Sequence, residues 1–237
     1  MELRAHGREP GGRRALTGRV HRRRAALRPP PRPARCLRRR PVVMANTVML
    51  LLGAVSVGLF YFLSQYQQQV LGMSPATAGL SQLPIAVLIT LGGFGAPWLA
   101  RLTGLRSAMA GALVALSAGL FWLARSEAGS EFVTALLGPF LLIGAGLGLG
   151  FVYATTIAVS GAVVGETGLL SGLVNATRQL GGALGLAALI AVATAGDGVA
   201  HTDAFLGAAV LALAAALLSL RPTAHRRPES DQQVEGD

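Results

Sequence analysis

One arginine, Arg178, lies within a long stretch of apolar and small residues, LVNATRQLGGALGLA, which runs from Leu173 to Ala187. No other charged residue occurs between Glu166 and Asp197. If this stretch crosses a lipid bilayer, a charge near its centre costs roughly 3 to more than 10 kcal/mol. The side chain is therefore expected to face a water-filled cavity or the interior of the protein, which makes it a candidate for binding or gating.

Two polar side chains accompany this arginine. Asn175 precedes Arg178 by three residues, which places both on one face of a helix, and Gln179 follows directly. A guanidinium in this position can bind an anionic group of a ligand, the carbonyls at a helix end, or a carboxylate from another chain. A purely structural arginine, hydrogen-bonded to backbone carbonyls, fits the pattern equally well, and both interpretations stay open.

A second polar cluster occurs in FYFLSQYQQQVLG, which contains Tyr61, Gln65, Tyr66, Gln67, Gln68 and Gln69. Gln65, Gln68 and Gln69 have helical spacing and share one face. Amides beside aromatic rings suit a ligand that is partly apolar and partly polar. Tyrosine is also common at membrane interfaces. We predict ligand contact for Gln65, Gln68 and Tyr66, and an interfacial position for Gln67 and Gln69.

The sequence lacks the usual patterns of enzymes and metalloproteins. Cys36 is the only cysteine, and the four histidines have no ligand-like spacing. No HExxH, Walker, GxSxG or CxxC motif is present. We therefore predict neither enzymatic activity nor a metal or cofactor.

Composition indicates an integral membrane protein. Of the 237 residues, 52% are hydrophobic and 14% are charged, whereas a soluble domain carries roughly 25% charge. The net charge of +10 is concentrated near the start, because 14 of the 21 arginines fall within residues 1–40.

Residues 1–43 form an arm rich in Arg and Pro, which is predicted to be disordered because it has few large apolar residues to bury. Its charge permits binding to nucleic acid or anionic lipid, but we predict no nucleic-acid partner. Arg, Pro, Gly and Ala without Lys are also typical of GC-rich DNA read from a wrong start or frame, so the arm is interpreted as a possible artefact of the gene model.

The remainder predicts an all-α membrane domain over residues 44–221, followed by a polar cytoplasmic tail over 222–237. Helix breakers and charges divide it into six spans, at about 46–70, 77–99, 107–124, 132–159, 168–195 and 204–220. Six spans put both ends on one side. The arginines gather on that side, at Arg38–Arg40, Arg101, Arg106, Arg221, Arg226 and Arg227, which predicts that both termini are cytoplasmic.

Glycines are placed where helices can approach closely. IGAGLGLG contains Gly144 and Gly148, and GGALG contains Gly181 and Gly185, each pair four residues apart. Small residues at this spacing favour helix–helix contact in lipid, so we predict packing roles for these four glycines.

Three segments resemble the drug/proton antiporters with fourteen spans of the major facilitator superfamily. YQQQVLGMSPATAGLSQLP is similar to the outer hairpin that opens the second half of these proteins. APWLARLTGLRSAMAGAL resembles their short cytoplasmic loop, with matches at Arg101, Gly104 and Arg106, although Ala100 replaces the usual acid. SGLVNATRQLGGALGLA, the most specific of the three, resembles their penultimate helix. The resemblance covers residues 37–220.

The resemblance implies one six-helix half, the C-terminal one, of a transporter that works by alternating access in a bacterial plasma (inner) membrane. It implies export of small amphipathic compounds in exchange for protons, with Arg178 in a gating role. The expected partners are the lipid bilayer and either an N-terminal half of six to eight helices or a second copy. The alternatives are a half-size transporter that needs a partner half and a truncated membrane fragment without transport.

Overall fold

The computed structural model describes residues 39–126, 136–160, 162, 166–195 and 200–220. The regular elements in this part of the chain are all helical. They are α1 (Arg40–Gln65), a π-helical turn (Tyr66–Val70), α2 (Pro75–Ser81), α3 (Leu83–Thr103), α4 (Leu105–Ala124), α5 (Leu137–Val159), α6 (Thr167–Ala195) and α7 (Ala200–Ser219). Six segments are long and apolar enough to cross a membrane, with α2 and α3 together forming the second. The predicted all-α fold with six spans is confirmed.

Helix α1 begins earlier than the predicted span. Its first residue is Arg40, and Pro41 occupies the first turn, where its missing N–H removes no hydrogen bond. Val42 is buried in one cluster with Leu170, which lies near the start of α6. Residues 40–43, assigned above to the arm, are therefore the first residues of α1, and Val42 among them packs against α6. The rest of the predicted arm, apart from Arg39, and the predicted tail lie outside the described residues.

Two glycines with positive φ permit the sharp changes of direction. Gly72 (φ 64°) follows the π-helical turn, and Gly104 (φ 84°) is the single residue between α3 and α4. The side chain of Ser74 caps α2 by accepting a hydrogen bond from the Thr77 N–H at 3.2 Å, and Pro75 follows in the first turn. Gly72, Ser74 and Pro75 explain why the segment from Pro41 to Ala100, which contains no charged residue, folds as two spans rather than one.

Helix α5 packs closely against two neighbours, α3 and α4, through its glycines. A Cβ atom at Gly148 would lie 2.6 Å from the Ile89 carbonyl oxygen of α3, and one at Gly144 would lie 2.8 Å from that of Ile85. At Gly146 it would lie 2.7 Å from the Ala112 carbonyl oxygen of α4. Gly144 and Gly148 therefore contact α3, whereas Gly146 contacts α4, and α5 packs between these two helices.

Helices α3 and α6 are the least buried of the six spans. Large apolar side chains form an exposed stripe along α3, at Leu83, Val87, Leu91, Phe94, Trp98 and Leu102. Their spacing of three or four residues keeps them on one face of the helix. More than half of each of these side chains is exposed in the described structure, so this face is available to lipid or to another helical unit.

Candidate functional site

The site begins with a close contact between α1 and α6, here called the glycine crossing and defined by Gly53, Gly181, Gly182 and Gly185. A Cβ atom on Gly53 would overlap the carbonyl oxygen of Arg178, and one on Gly181 would overlap that of Leu50. At Gly185 the same atom would overlap Ala54. The backbones of the two helices therefore touch directly, an arrangement that only glycine permits.

The side chain of Arg178 extends from this crossing and is partly buried. Its Nη2 donates a hydrogen bond to Asn175 Oδ1 at 3.2 Å, and its Cζ lies 5.9 Å from the centre of the Phe151 ring on α5. The ring face attracts the cation at this distance. Among the described residues no carboxylate forms an ion pair with Arg178. The ion pair in this part of the chain joins Arg39 and Glu166, with 3.8 Å between Nη1 and Oε2.

Arg178 and Asn175 line a cavity of about 300 Å³ between α1, α5 and α6, here called the arginine cavity. Its other lining residues are Met49, Phe151, Thr155, Ser171 and Val174. The wall thus combines apolar side chains, two hydroxyls, one amide and one permanent cation, a composition suited to a small amphipathic molecule.

A polar contact beside Arg178 ties the same two helices and was not predicted. Thr177 Oγ1 donates to Asn46 Oδ1 at 3.1 Å, and Asn46 Nδ2 donates to the Val42 carbonyl at 2.8 Å. The sequence signal for this contact was Asn46 itself, because an amide at the start of the apolar first span needs hydrogen-bond partners within the protein. This contact adds a polar link between α1 and α6 beside the glycine crossing.

A second cavity, of about 180 Å³, lies near the opposite ends of α1 and α6 and is here called the glutamine cavity. Its lining includes Tyr61, Gln65 and Gln69 of the first span and His201 of α7. Gln69 Nε2 donates to Gln65 Oε1 at 2.6 Å, and Gln65 Nε2 donates to the Tyr61 hydroxyl at 3.3 Å. These side chains form a connected neutral polar wall.

Two residues predicted for ligand contact lie elsewhere. Tyr66 is only 5% exposed and packs its ring on His201, with centroids 4.9 Å apart. Gln68 is exposed outside the cavity lining and donates to Ser64 Oγ at 2.7 Å. The structure instead brings Gln69 into the lining, because the π-helical turn has i→i+5 bonding and changes the face that each glutamine presents.

Gln67, predicted at the membrane interface, is fully buried. Its Nε2 donates to Ser81 Oγ at 2.7 Å, and its Oε1 accepts from Gln82 Nε2 at 2.9 Å. The amide therefore holds the π-helical turn against the junction between α2 and α3. These contacts give Gln67 a structural role, and its position at the membrane interface stays a prediction.

His201 was missed because the predicted sixth span began at residue 204. Helix α7 begins at Ala200 and carries His201 into the glutamine cavity. Gln179, by contrast, is exposed on α6 and lines neither cavity. Its place beside Arg178 in the sequence puts it on a different face of the helix.

The predicted loop motif lies at one end of the bundle. Arg101 is exposed in the last turn of α3, and Arg106 is partly buried in the first turn of α4. The Ser107 hydroxyl donates to the carbonyls of Thr103 and Gly104, which stabilises the tight connection. Within the described ranges, no group of three or more residues could hold a metal ion.

Comparison with known proteins identifies the family. The profile of the Major Facilitator Superfamily matches residues 5–186, a range that includes most of the arm as well as the spans from α1 into α6. The chain is 39% identical to the cephamycin export protein CmcT of Amycolatopsis lactamdurans, an alignment that covers 73% of this chain and 37% of that relative.

Two further relatives carry related names. The puromycin resistance protein pur8 of Streptomyces alboniger is 38% identical over 58% of this chain and 28% of its own length. The multidrug efflux pump LfrA of Mycolicibacterium smegmatis is 28% identical over 59% of this chain and 27% of its own. The chain thus spans about a third of the curated relatives that it matches, and with six membrane helices it corresponds to one half of their fold. By its sequence match and its helical architecture, the chain belongs to the Major Facilitator Superfamily.

Proposed function

We propose that the six helices act as the C-terminal half of an exporter that moves small amphipathic compounds out of the cell in exchange for protons. The observation that carries the proposal is the position of the two cavities along one helix pair. On these two helices the arginine cavity is lined by Met49 and by four residues between positions 171 and 178. The glutamine cavity is lined by five residues of the first span (Tyr61, Phe62, Gln65, Gln69 and Val70) and by Ile190, Ala193 and Thr194. The glycine crossing lies between them.

This arrangement suits alternating access. Helices α1 and α6 contribute to both cavities, so a change in their crossing alters both ends together. The crossing is made of backbone against glycine, which allows the helices to slide or tilt with few side chains to rearrange. The names of the cephamycin exporter and of the pump LfrA support export as the direction of transport.

Proton coupling is proposed to use acids outside the described residues. The two acids in the described part are Glu166, which directly precedes α6, and Asp203, in the first turn of α7. Neither lies deep in a span. We infer that the groups that carry protons belong to a second helical unit and that this unit covers the exposed faces of α3 and α6.

The chain is proposed to lie in the plasma (inner) membrane with both termini in the cytoplasm. Arg39, Arg40, Arg101 and Arg106 lie at the helix ends on one side, whereas Arg125 follows α4 at the other. Arginine bias toward the cytoplasm supports this orientation.

The test is dye efflux from a drug-sensitive bacterium that expresses the chain. Cells preloaded with the uncharged amphipathic dye Nile red should release it faster than vector controls, and a protonophore should abolish the difference. Efflux that survives collapse of the proton gradient would contradict antiport. Absence of efflux, with the chain found in the membrane fraction, would contradict transport by this chain as expressed.

The partner is tested in the same cells by cross-linking. Phe94 is 80% exposed in the middle of the α3 stripe. In a Cys36→Ser background, Phe94→Cys should form a disulfide-linked dimer if a second copy covers this face. Val114→Cys, on an exposed position of α4, serves as the matched control and should stay monomeric.

A further inference from the structure

Among the described residues, the guanidinium of Arg178 has acceptors for few of its N–H donors. Asn175 Oδ1 is its hydrogen-bond acceptor in the described structure, and the Phe151 ring offers only the weaker attraction of a π face. Arginine stays charged in proteins. The arginine cavity therefore contains a permanent positive charge, and the described residues place no negative charge in its lining.

The remaining lining residues indicate that the rest of the ligand is largely apolar. Met49, Phe151 and Val174 provide apolar contact, and the hydroxyls of Thr155 and Ser171 provide further hydrogen bonds. A volume of about 300 Å³ is at the lower end of the range for small-molecule pockets, enough for a compound with one or two rings. A guanidinium pairs with a carboxylate through two parallel hydrogen bonds, and the low dielectric of an apolar wall strengthens them.

We propose that the arginine cavity binds amphipathic organic monocarboxylates, with the carboxylate on Arg178 and the hydrocarbon part against Phe151, Met49 and Val174. Asn175 is a positioning residue, since its side chain holds one end of the guanidinium. The inference rests on the proposed transport function and names the substrate class for it. A cationic compound is disfavoured at this site because the arginine repels it.

The test measures binding of three compounds of nearly equal shape to the purified full chain in neutral detergent. Equilibrium dialysis compares 2-naphthoate, the neutral 2-naphthamide and the cationic 2-naphthylmethylammonium. The carboxylate should bind about tenfold or more tightly than the amide, as expected for hydrogen bonds to a charged group. The cation should fail to compete.

Two sets of variants assign the site. Arg178→Gln should weaken 2-naphthoate binding by about tenfold or more while leaving the amide unchanged. Arg125→Gln is the matched control, because Arg125 also stands over a ring, that of Phe121 at 4.8 Å, but lies outside the cavity. It should leave both affinities unchanged.

Ser171→Asp keeps the arginine and covers the case in which Arg178→Gln does not fold. Ser171 lines the same cavity as Arg178, so the new carboxylate can form an ion pair with the guanidinium. It should abolish the preference for 2-naphthoate, and Ser171→Asn should preserve it. Equal binding of acid and amide, or a preference that survives both Arg178→Gln and Ser171→Asp, overturns the proposal.

The outcome is separable from that of the efflux experiment. Charge-selective binding that depends on Arg178, in a chain that exports nothing, supports the site and contradicts the transport function. Nile red efflux by a chain that shows no preference for the carboxylate supports transport and overturns the substrate class.

Discussion

The carbonyl oxygen of Arg178 lies directly against Gly53, so the residue that carries the cavity's charge is also a backbone contact between α6 and α1. Its backbone is held by the crossing, while its side chain points into the arginine cavity. Any movement of α1 along α6 at this point therefore moves the guanidinium relative to the cavity wall. The two roles can be separated, because one depends on the glycine and the other on the side chain.

Gly53→Ala should destabilise the protein. The added methyl group would overlap the Arg178 carbonyl, a backbone atom that cannot rotate away, and overpacking of this kind costs about 1–3 kcal/mol. Gly93→Ala is the matched control, because a Cβ there meets nothing within 4 Å and alanine is the better helix former. Thermal unfolding in detergent, followed by tryptophan fluorescence, should show a lower Tm for Gly53→Ala and an unchanged or higher Tm for Gly93→Ala. Equal Tm values would show that the gap between Gly53 and the Arg178 carbonyl is wide enough to accept a methyl group.

Gln67→Leu should destabilise the junction between the first two spans. The substitution removes the acceptor for Gln82 and the donor to Ser81 inside a buried site, where unpaired polar groups cost about 1–3 kcal/mol. Gln68→Leu changes an exposed neighbour and should stay within about 0.5 kcal/mol of the wild type. Limited proteolysis at the connection between α1 and α2, together with Tm, measures the difference. If Gln68→Leu is the more disruptive, the assignment of the two glutamines is reversed.

The sequence predicted the six helices because apolar runs, glycines and prolines act locally. Pro75 after Ser74 and the single residue Gly104 mark helix boundaries directly. The faces of the glutamines could not be predicted, because the π-helical turn at Tyr66–Val70 depends on packing and leaves no trace in the hydrophobic period. The early start of α1 likewise depends on Val42 meeting Leu170, a contact between residues distant in the chain.

Arg178→Ala should abolish drug resistance in cells where the chain confers it, while membrane expression persists. The side chain is only partly buried and has one hydrogen bond in the described structure, to Asn175 on its own helix, so its loss leaves the glycine crossing intact. Minimum inhibitory concentrations and immunoblots of membrane fractions measure the two effects. Gln179→Ala is the control, because Gln179 is exposed beside it and lines neither cavity. Unchanged resistance in Arg178→Ala would eliminate the gating role.

Membrane orientation can be tested with single cysteines, because the chain has only Cys36 to remove. In a Cys36→Ser background, Ser107→Cys lies at the connection between α3 and α4, and Ser126→Cys lies beyond the opposite end of α4. Both serines are near helix ends, and the length of α4 separates them. A membrane-impermeant maleimide should label Ser126→Cys in intact cells and Ser107→Cys only in inside-out vesicles, since the arginine-rich ends face the cytoplasm. The reverse pattern would invert the proposed orientation and place the arginine cavity toward the outer face.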